Sequence, residues 1–167
     1  NKLDNVGTYV VAKKEDIEQA FINACKAQPG WNDMGGAARA QLLDTLANML
    51  EEHLGRFVAI LCREAGKTFG DGISEVREAV DFCRYYAGQA RQLIERPELL
   101  PGPTGETNEL SLHGRGVFVC ISPWNFPLAI FLGQVTAALA AGNTVMAKPA
   151  VETPFVAFEA VRLMYQA

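Results

Sequence analysis

The feature that most limits how this chain can fold is a long segment without charge. No charged residue occurs from Gly116 to Ala147. A transmembrane helix needs about 20 consecutive apolar residues, but this run is broken by "SPWNFP" and again by "GNT". The longest helical piece is therefore too short to span a bilayer. The segment is instead typical of a strand, a helix and a second strand that are deeply buried.

The order of elements in the last third predicts the first half of a doubly wound sheet. Residues 117–121 form a continuous apolar, β-branched run, which is typical of a parallel strand covered on both faces. A helix follows and is expected to end at Gly142, and a second strand covers 144–147. Thr153 is expected to cap a last helix, with Pro154 in its first turn. The expected fold class is therefore α/β, with a helical N-terminal part followed by a β-α-β-α unit.

Helical periodicity dominates the chain before this unit. The stretch "GTYVV" predicts a short strand that leads into a first helix, and Pro29-Gly30 is expected to end that helix. A second helix carries its apolar residues on one face, and a third is expected from about Arg56 to Gly66. The apolar positions of the first two helices are Ile17, Ala20, Phe21 and Ala24, then Leu42, Leu43, Leu46, Met49 and Leu50.

The fourth helix is the most regular one, and its two faces differ. Asp71 is expected to cap it. One face is an apolar stripe, which needs a partner helix or sheet. The opposite face mixes polar residues with Phe82 and Tyr85, so we expect cover on both sides, although a solvated face with two scattered aromatics is an alternative. The stripe is Ile73, Val76, Val80, Cys83, Ala87, Ala90 and Ile94, and the mixed face is Glu75, Glu78, Phe82, Tyr85 and Gln89.

A segment rich in proline and glycine divides the chain. Residues 96–106, "RPELLPGPTGE", predict a surface connection. The next stretch, "TNELSLHG", alternates polar and apolar residues, so it predicts an antiparallel strand with His113 as a surface residue. We therefore expect a strand and helices over 1–106 that pack on the rest, a connecting strand over 107–115, and half of a nucleotide-binding domain over 116–167.

Charge and cysteine usage exclude several classes of protein. The net charge of -4 leaves no basic excess to neutralise phosphates, so no nucleic-acid partner is expected through this segment. No apolar region follows a basic start, so no signal peptide is predicted. The four cysteines lack metal-type spacing and are expected to be buried, reduced thiols of a cytoplasmic protein. They are Cys25, Cys62, Cys83 and Cys120.

Ligands of open parallel sheets bind at the carboxyl ends of the strands. The two strands here end at "ISPWNFP" and "KPA", and the first loop lacks the G-x-G-x-x-G pattern of dinucleotide sites. Lys148 ends the second strand, where its ammonium group needs acceptors such as ribose hydroxyls or a carboxylate. A solvated lysine at a strand end is the alternative. Spacing alone thus predicts a ligand at a strand–helix loop.

Asn125 is the unexpected polar residue between Trp124 and Phe126. Its amide can donate two hydrogen bonds without carrying charge. In a dry pocket beside aromatics, it could stabilise an oxyanion that develops on a carbonyl. The alternative is structural, with Asn125 capping the following helix or tying the loop.

The same residues resemble a known family. The stretch "VFVCISPWNFPLAIFLGQVTAALAAGNTVMAKPA" is similar to the signature of the aldehyde dehydrogenase superfamily. "LCREAGKTFGDGISEVREAVDFCRYYAGQ" resembles its L-glutamate γ-semialdehyde (Δ1-pyrroline-5-carboxylate) dehydrogenases, in the form found in bifunctional proline-utilization proteins. The resemblance runs from about Gly7 to the C-terminus. It implies a Rossmann-like nucleotide-binding domain, NAD as cofactor and a small aldehyde as substrate.

The resemblance also implies roles for individual residues. Asn125 matches the oxyanion-hole asparagine of the family, and Phe126 matches the aromatic residue beside the aldehyde. Lys148 matches the lysine that binds the adenosine ribose, and Glu78 matches a helix carboxylate near the amino group of the substrate. The remaining matches are the loop backbone along NAD, formed by Ile121, Ser122, Pro123 and Trp124, and the residues beside the adenine, Pro149 and Ala150.

The sequence departs from the family pattern at one position of this site. The family often has a glutamate after K-P-[AS], where it binds a ribose hydroxyl. Here that residue is Val151, and Glu152 follows one position later. The departure weakens the expected ribose contact and the expected strict preference for NAD.

Several parts that the resemblance implies are absent from the sequence. None of the four cysteines matches the nucleophile of the family, and neither its general-base glutamate nor its second glycine-rich loop is present. We therefore expect a fragment that is inactive alone. We also expect it to self-associate, because a parallel sheet of two strands leaves open strand edges. FAD is expected only in a proline dehydrogenase domain outside this chain. A non-catalytic nucleotide-binding or structural module of the same fold is the alternative function.

Overall fold

The computed structural model describes residues 5–167, in which a group of helices is followed by short strands and two further helices. Its N-terminal part contains four helices, and the fourth continues into a π-helical turn. Two strands and then a strand–helix–strand–helix unit follow. The elements are α1 (Lys14–Asp33), α2 (Gly36–Glu52), α3 (Leu54–Glu64), α4 (Phe69–Gln89), the π-helical turn (Ala90–Ile94), β1 (Glu98–Leu100), β2 (Asn108–Leu110), β3 (Val117–Ile121), α5 (Ala129–Ala140), β4 (Thr144–Lys148) and α6 (Pro154–Met164).

The strands β3 and β4 are parallel, which confirms the predicted β-α-β-α order. Val117 pairs with Thr144 at one end, and Ile121 pairs with Lys148 at the other. Helix α5 is the crossover between them, and it ends before Gly142, whose φ of 89° lies in the left-handed region favoured by glycine. Both strands therefore end at the same edge of the sheet.

The hydrophobic core joins the N-terminal helices to this unit. Buried side chains of α2, α3 and α4 pack with those of α5 and α6, so the four-element unit is covered from the N-terminal side. Full burial of one such aliphatic or aromatic side chain stabilises the fold by about 1.5–3 kcal/mol. The largest members of this core are Leu46, Leu50, Phe57, Leu61, Val76, Leu128, Phe131, Leu132, Val156 and Leu163.

The predicted N-terminal strand does not form. Residues 5–13 have no regular secondary structure, because no strand of the described chain pairs with them and an extended segment needs a partner for its backbone groups. Tyr9 instead meets Phe155 edge to face at 6.3 Å and donates its hydroxyl proton to the carbonyl of Val151 at 3.2 Å. The segment is thus attached to the start of α6 by side chains.

The prediction that Pro29-Gly30 ends α1 is also wrong. The helix continues to Asp33 with Pro29 inside it, although proline removes one intrahelical hydrogen bond. Tertiary hydrogen bonds secure this last turn: Trp31 donates from Nε1 to the Leu139 carbonyl at 3.0 Å, and Arg39 donates to the Trp31 carbonyl at 3.0 Å. These bonds link the turn to Leu139, 108 positions away, and to Arg39 in the next helix, so the sequence around Pro29 does not reveal them.

The cap of α4 lies one turn earlier than predicted. Thr68, and not Asp71, is the N-cap residue: its hydroxyl accepts from the Asp71 backbone N–H at 3.2 Å and donates to the Asp71 carboxylate at 2.7 Å. Asp71 thus occupies the third helical position, where a carboxylate also favours the helix N-terminus.

The connection over 96–106 contains a strand that periodicity did not reveal. Residues 98–100 form β1, which pairs antiparallel with β2, the strand predicted in "TNELSLHG". The register places Glu98 opposite Leu110 and Leu100 opposite Asn108. Because β1 has only three residues between prolines, it carries too little alternation to be recognised.

The cysteines are only partly as expected. All four are free thiols, and Cys83 and Cys120 are buried, but Cys25 is exposed on α1 and Cys62 is half-buried on α3. Helix α1 has no buried residue, so a cysteine on it need not face the core. Among residues 5–167, no cluster of side chains could hold a metal ion and no helix could cross a membrane.

Candidate functional site

The two loops named from the sequence lie side by side at the carboxyl edge of the sheet. Beyond the last ladder pair, the backbone N–H of Ser122 donates to the carbonyl of Lys148 at 3.2 Å. This bond joins the start of the first loop to the end of the second strand. The structure therefore brings together the residues 121–126 and 148–150 that the resemblance connects with NAD and the aldehyde.

Most side chains of the first loop face outward. Ile121, Trp124 and Phe126 are 62%, 57% and 42% exposed, whereas Ser122 is buried. Asn125 is exposed at the tip of the loop, and its side chain makes no hydrogen bond to any described residue. It therefore neither caps α5 nor ties the loop, which were the structural alternatives for this residue.

The second loop presents a lysine to solvent. Lys148 is exposed, and its Nζ donates to the Pro149 carbonyl at 3.2 Å. An ammonium group has three donors, so this side chain can still offer hydrogen bonds to a ligand. Pro149 is half-buried and Ala150 is buried beneath it.

Helix α5 is capped by a residue from another helix. Its N-cap, Leu128, has no polar side chain. The carboxylate of Glu75 on α4 supplies the acceptor, because its Oε1 binds the backbone N–H of Leu128 at 2.8 Å and that of Ala129 at 3.2 Å. Sequence reasoning placed Glu75 on the mixed face of α4 but gave it no role.

Lys67 completes this arrangement and was missed entirely. Its Nζ lies 2.7 Å from Oε2 of Glu75 and 4.1 Å from the centre of the Phe126 ring. The side chain of Lys67 is 12% exposed and that of Glu75 is fully buried. A buried carboxylate requires such partners, since an unpaired buried charge is costly. The ion pair thus contacts the loop immediately after Asn125.

Helix α6 is capped in the same way. Thr153 occupies the predicted N-cap position, but its side chain makes no capping hydrogen bond. Glu64, the last residue of α3, accepts from the backbone N–H groups of Phe155 at 2.7 Å and Val156 at 3.0 Å. Burial raises the pKa of Glu64, and these two backbone hydrogen bonds oppose the increase.

The mixed face of α4 is covered at two of its positions. Glu75 is buried against the start of α5, and the ring of Phe82 lies 3.2 Å from the point where a side chain on Gly133 would begin, so glycine permits the close approach of the two helices. Glu78 lies between these two contacts on the same face and is exposed. Tyr85 is 60% exposed, so the predicted cover is confirmed at Glu75 and Phe82 but not at Glu78 and Tyr85.

Neither of the two buried thiols, Cys83 and Cys120, is activated. Burial raises the pKa of Cys83 to about 12 and also raises the pKa of Cys120. Both groups are therefore neutral thiols near pH 7, and a neutral thiol is a poor nucleophile.

An open groove runs along the outer side of β3. It has a volume of about 560 Å³ and lies between β3 and α5. Its apolar lining includes Phe118, Val119 and Ile121, which are 43%, 63% and 62% exposed. Burial on both faces was predicted for this strand, but only Cys120 of β3 is buried.

Comparisons with known proteins give one consistent relationship. The model of the aldehyde dehydrogenase family matches residues 2–167. The bifunctional protein PutA of Escherichia coli is 44% identical over 164 residues, which are 98% of this chain and 11% of that protein. A solved mutant of Bradyrhizobium japonicum proline utilization A (PutA) is 52% identical with a TM-score of 0.94, covering 95% of this chain and 16% of its own. Solved 1-pyrroline-5-carboxylate dehydrogenase from Thermus with bound NAD is 36% identical with a TM-score of 0.88, covering 93% and 30%.

Proposed function

The chain belongs to the aldehyde dehydrogenase family, and on this premise we propose that it is part of an NAD-dependent enzyme that oxidises L-glutamate γ-semialdehyde to L-glutamate in proline catabolism. The observation that carries the proposal is the pairing of two loops, 121–126 and 148–150, at the carboxyl edge of one parallel sheet. That edge is where ligands of open α/β sheets bind. Residues 116–167 are then the first half of the NAD-binding domain, and the helices before them cover it.

The named relatives support the choice of substrate. They include bifunctional PutA proteins and a 1-pyrroline-5-carboxylate dehydrogenase, and the chain spans between 11% and 30% of their lengths. The activity is accordingly proposed for the longer protein of which this segment would be a part.

Asn125 is proposed as the donor that stabilises the reacting aldehyde oxygen. When a nucleophile adds to the carbonyl carbon, the electron pair of the double bond moves to oxygen, which becomes negatively charged. The amide of Asn125 is exposed and has no partner among residues 5–167, so both of its N–H donors are available for that oxygen.

The start of the first loop and the second loop are proposed to hold NAD, which would accept the hydride. The backbone of Ile121–Trp124 would lie along the cofactor, and Pro149 and Ala150 would lie beside the adenine. Lys148 fits the ribose, because its ammonium group is exposed and keeps donors for hydroxyl groups. Val151 is 61% exposed, and as an apolar residue it cannot supply the carboxylate that the resemblance implies at its position.

Phe126 and Glu78 are proposed to contact the substrate. The Phe126 ring is 42% exposed next to Asn125, so it can pack against the carbon chain of the aldehyde. Glu78 is an exposed carboxylate on the face of α4 that packs on α5. A carboxylate there would attract the amino group of glutamate semialdehyde.

The chemistry that this segment does not carry would come from the rest of the enzyme. The raised pKa values of Cys83 and Cys120 support the interpretation that neither is the nucleophile. We therefore propose that the 167-residue chain alone is inactive. Its free cysteines support a reducing, cytoplasmic location for the enzyme.

The experiment that tests the proposal uses the full-length protein and the isolated chain in parallel. NADH formation is followed with glutamate semialdehyde and with a simple aliphatic aldehyde. The proposal expects turnover of glutamate semialdehyde by the full-length protein only. If the full-length protein binds NAD but oxidises neither aldehyde, the alternative of a non-catalytic nucleotide-binding module is correct.

A further inference from the structure

Both helices that follow the site loops depend on the N-terminal layer for their caps. The N-cap residues Leu128 of α5 and Thr153 of α6 make no side-chain capping bond. Glu75 and Glu64 supply the missing acceptors from α4 and α3. Each carboxylate binds two consecutive backbone N–H groups, so the same solution is used twice.

These contacts determine where each loop ends. The first loop begins at Ser122, whose N–H is bound to the Lys148 carbonyl, and ends where Glu75 binds the first turn of α5. The second loop begins at that same carbonyl and ends where Glu64 binds the first turn of α6. A carboxylate at a helix N-terminus is favoured by the partial positive charge there. Each loop is therefore held at its start by the Ser122–Lys148 backbone hydrogen bond and at its end by a carboxylate acceptor.

The first loop has an additional contact. Lys67 connects Glu75 with the Phe126 ring, through an Nζ–Oε2 distance of 2.7 Å and an Nζ–centroid distance of 4.1 Å. Ammonium–ring contacts that are shielded from water contribute more than exposed ones, and the Lys67 side chain is only 12% exposed. The contact of Lys67 with Phe126 thereby restrains the position of the adjacent Asn125.

We infer that Glu75 and Glu64 are positioning residues with separate tasks: Glu75, together with Lys67, sets the loop that presents Asn125 to the reacting carbonyl, and Glu64 sets the loop that presents Lys148 to the ribose of NAD. The nature of the two tasks rests on the proposed function, whereas the attachment of each loop to one carboxylate does not. The N-termini of α5 and α6 are thereby filled by protein carboxylates. The cofactor phosphates therefore need another binding site, in keeping with the absence of a glycine-rich loop after β3.

The test compares three matched substitutions in the full-length protein. Glu75→Gln and Glu64→Gln preserve the size of the side chain and remove the negative charge that binds the helix N-terminus. Glu51→Gln is the control, because it neutralises a carboxylate that binds no helix N-terminus: Glu51 lies on the surface of α2 and pairs with Arg84 at 2.6 Å. We expect the control to leave both kinetic constants unchanged.

The two site variants should separate kcat from cofactor affinity. Glu75→Gln should lower kcat about tenfold and leave the dissociation constant of NAD within twofold, since small displacements of a catalytic group reduce turnover. Glu64→Gln should raise that dissociation constant about fivefold and leave kcat at saturating NAD within twofold, in line with the loss of one helix cap. If the two variants change the same constant, or if neither changes one, the inference is wrong.

Three further variants keep the test decisive if a glutamine variant does not fold. Lys67→Met removes only the ammonium group and should reproduce the kcat effect of Glu75→Gln, while Lys67→Arg should restore most of it. Glu64→Asp shortens the cap of α6 and should again affect NAD binding alone. An unchanged kcat in Lys67→Met would overturn the role of the Lys67–Glu75 pair.

Amide hydrogen exchange tests the attachment without using activity. Glu75→Gln should speed exchange in the peptide that contains Leu128 and Ala129, and Glu64→Gln should do so in the peptide that contains Phe155 and Val156. Each variant should leave the other peptide unchanged. If the wild-type protein has no dehydrogenase activity, the proposed function fails while this measurement still decides the inference, which is wrong if exchange increases in both peptides or in neither.

Discussion

The backbone N–H of Ser122 donates a hydrogen bond to the carbonyl of Lys148 at 3.2 Å, so the loop that carries Asn125 begins next to the residue that is proposed to bind the cofactor. The side chains on either side of this bond have different tasks in the proposed enzyme. Asn125 and Lys148 both project into solvent at the carboxyl edge of the sheet. Substituting them separately should therefore affect turnover and cofactor binding separately.

Asn125→Ala in the full-length protein should lower kcat by about two to three orders of magnitude, the usual effect of losing one oxyanion donor. NAD affinity should barely change, because the cofactor is expected on the loop backbone. Asn125→Asp should be at least as damaging, since a carboxylate repels the developing negative charge. Steady-state kinetics and NAD titration on both variants make the measurement. A near-normal kcat in Asn125→Ala would exclude the oxyanion role.

Lys148→Met should weaken NAD binding about tenfold, because the ribose hydroxyls lose a charged donor. The value of kcat at saturating NAD should stay within twofold. Lys14→Met is a suitable control, since the Lys14 side chain is 83% exposed on α1 and pairs with the exposed Glu18 one turn away. Fluorescence or calorimetric titration with NAD distinguishes the two variants. Equal NAD affinity in Lys148→Met and the control would show that Lys148 is merely a solvated residue.

The thiols should react in the order of their exposure. Cys25 is exposed and should be labelled first by a thiol reagent under native conditions. Cys83 should react only on unfolding, because burial raises its pKa to about 12 and blocks access to the sulfur. Mass spectrometry of peptides after timed labelling measures the order. Fast native labelling of Cys83 would contradict the packing of α4 on α2 and α5.

Acid should destabilise the chain through Glu159 on α6. Arg162, which hydrogen-bonds its carboxylate, holds the pKa of Glu159 below its usual value, and Arg56 adds to the effect, while burial opposes it. The folded-state pKa is lower than the unfolded one, which is about 4.3. The stabilising contribution is therefore complete above the unfolded pKa and is lost as the pH falls through the folded pKa.

Urea unfolding of Glu159→Gln between about pH 6 and 3 should show a smaller loss of stability than wild type. The control Glu106→Gln, at an exposed carboxylate in the β1–β2 connection, should follow wild type.

The sequence predicted the elements well where the signal was local. The parallel strands, the crossover helix with its end at Gly142, and the apolar faces of α2 and α4 follow from periodicity and from glycine geometry. The caps of α5 and α6 could not be found in this way, because Glu75 and Glu64 are 53 and 91 positions from the N–H groups that they bind. One signal was available for α5: its N-cap residue is Leu128, which has no polar side chain, so the acceptor had to come from another element.

The same limitation applies to the candidate site. The residues 121–126 and 148–150 could be named because they end two parallel strands, and strand ends converge. Lys67 could not, since nothing local shows that a lysine between α3 and α4 reaches Glu75 and Phe126. The prediction at Pro29 failed for the opposite reason. The local tendency of proline to end a helix is overcome by the hydrogen bonds of Trp31, which donates to the Leu139 carbonyl and accepts from Arg39 of the next helix.

The isolated chain should self-associate through the outer edge of β3. The sheet that includes β3 has only two strands among the described residues. It leaves Val119 and Ile121 63% and 62% exposed beside an apolar groove. Unpaired edge groups next to apolar side chains favour pairing with another chain, and a charge on the edge opposes it.

Light scattering should therefore show concentration-dependent association of the isolated chain, and Val119→Lys should reduce it. Lys is not expected to destabilise the core, because Val119 already faces solvent. The control Val10→Lys replaces a residue that is 91% exposed in the irregular N-terminal segment and should leave association unchanged. A stable monomer at high concentration, or equal association of the two variants, would rule out the β3 edge as the contact.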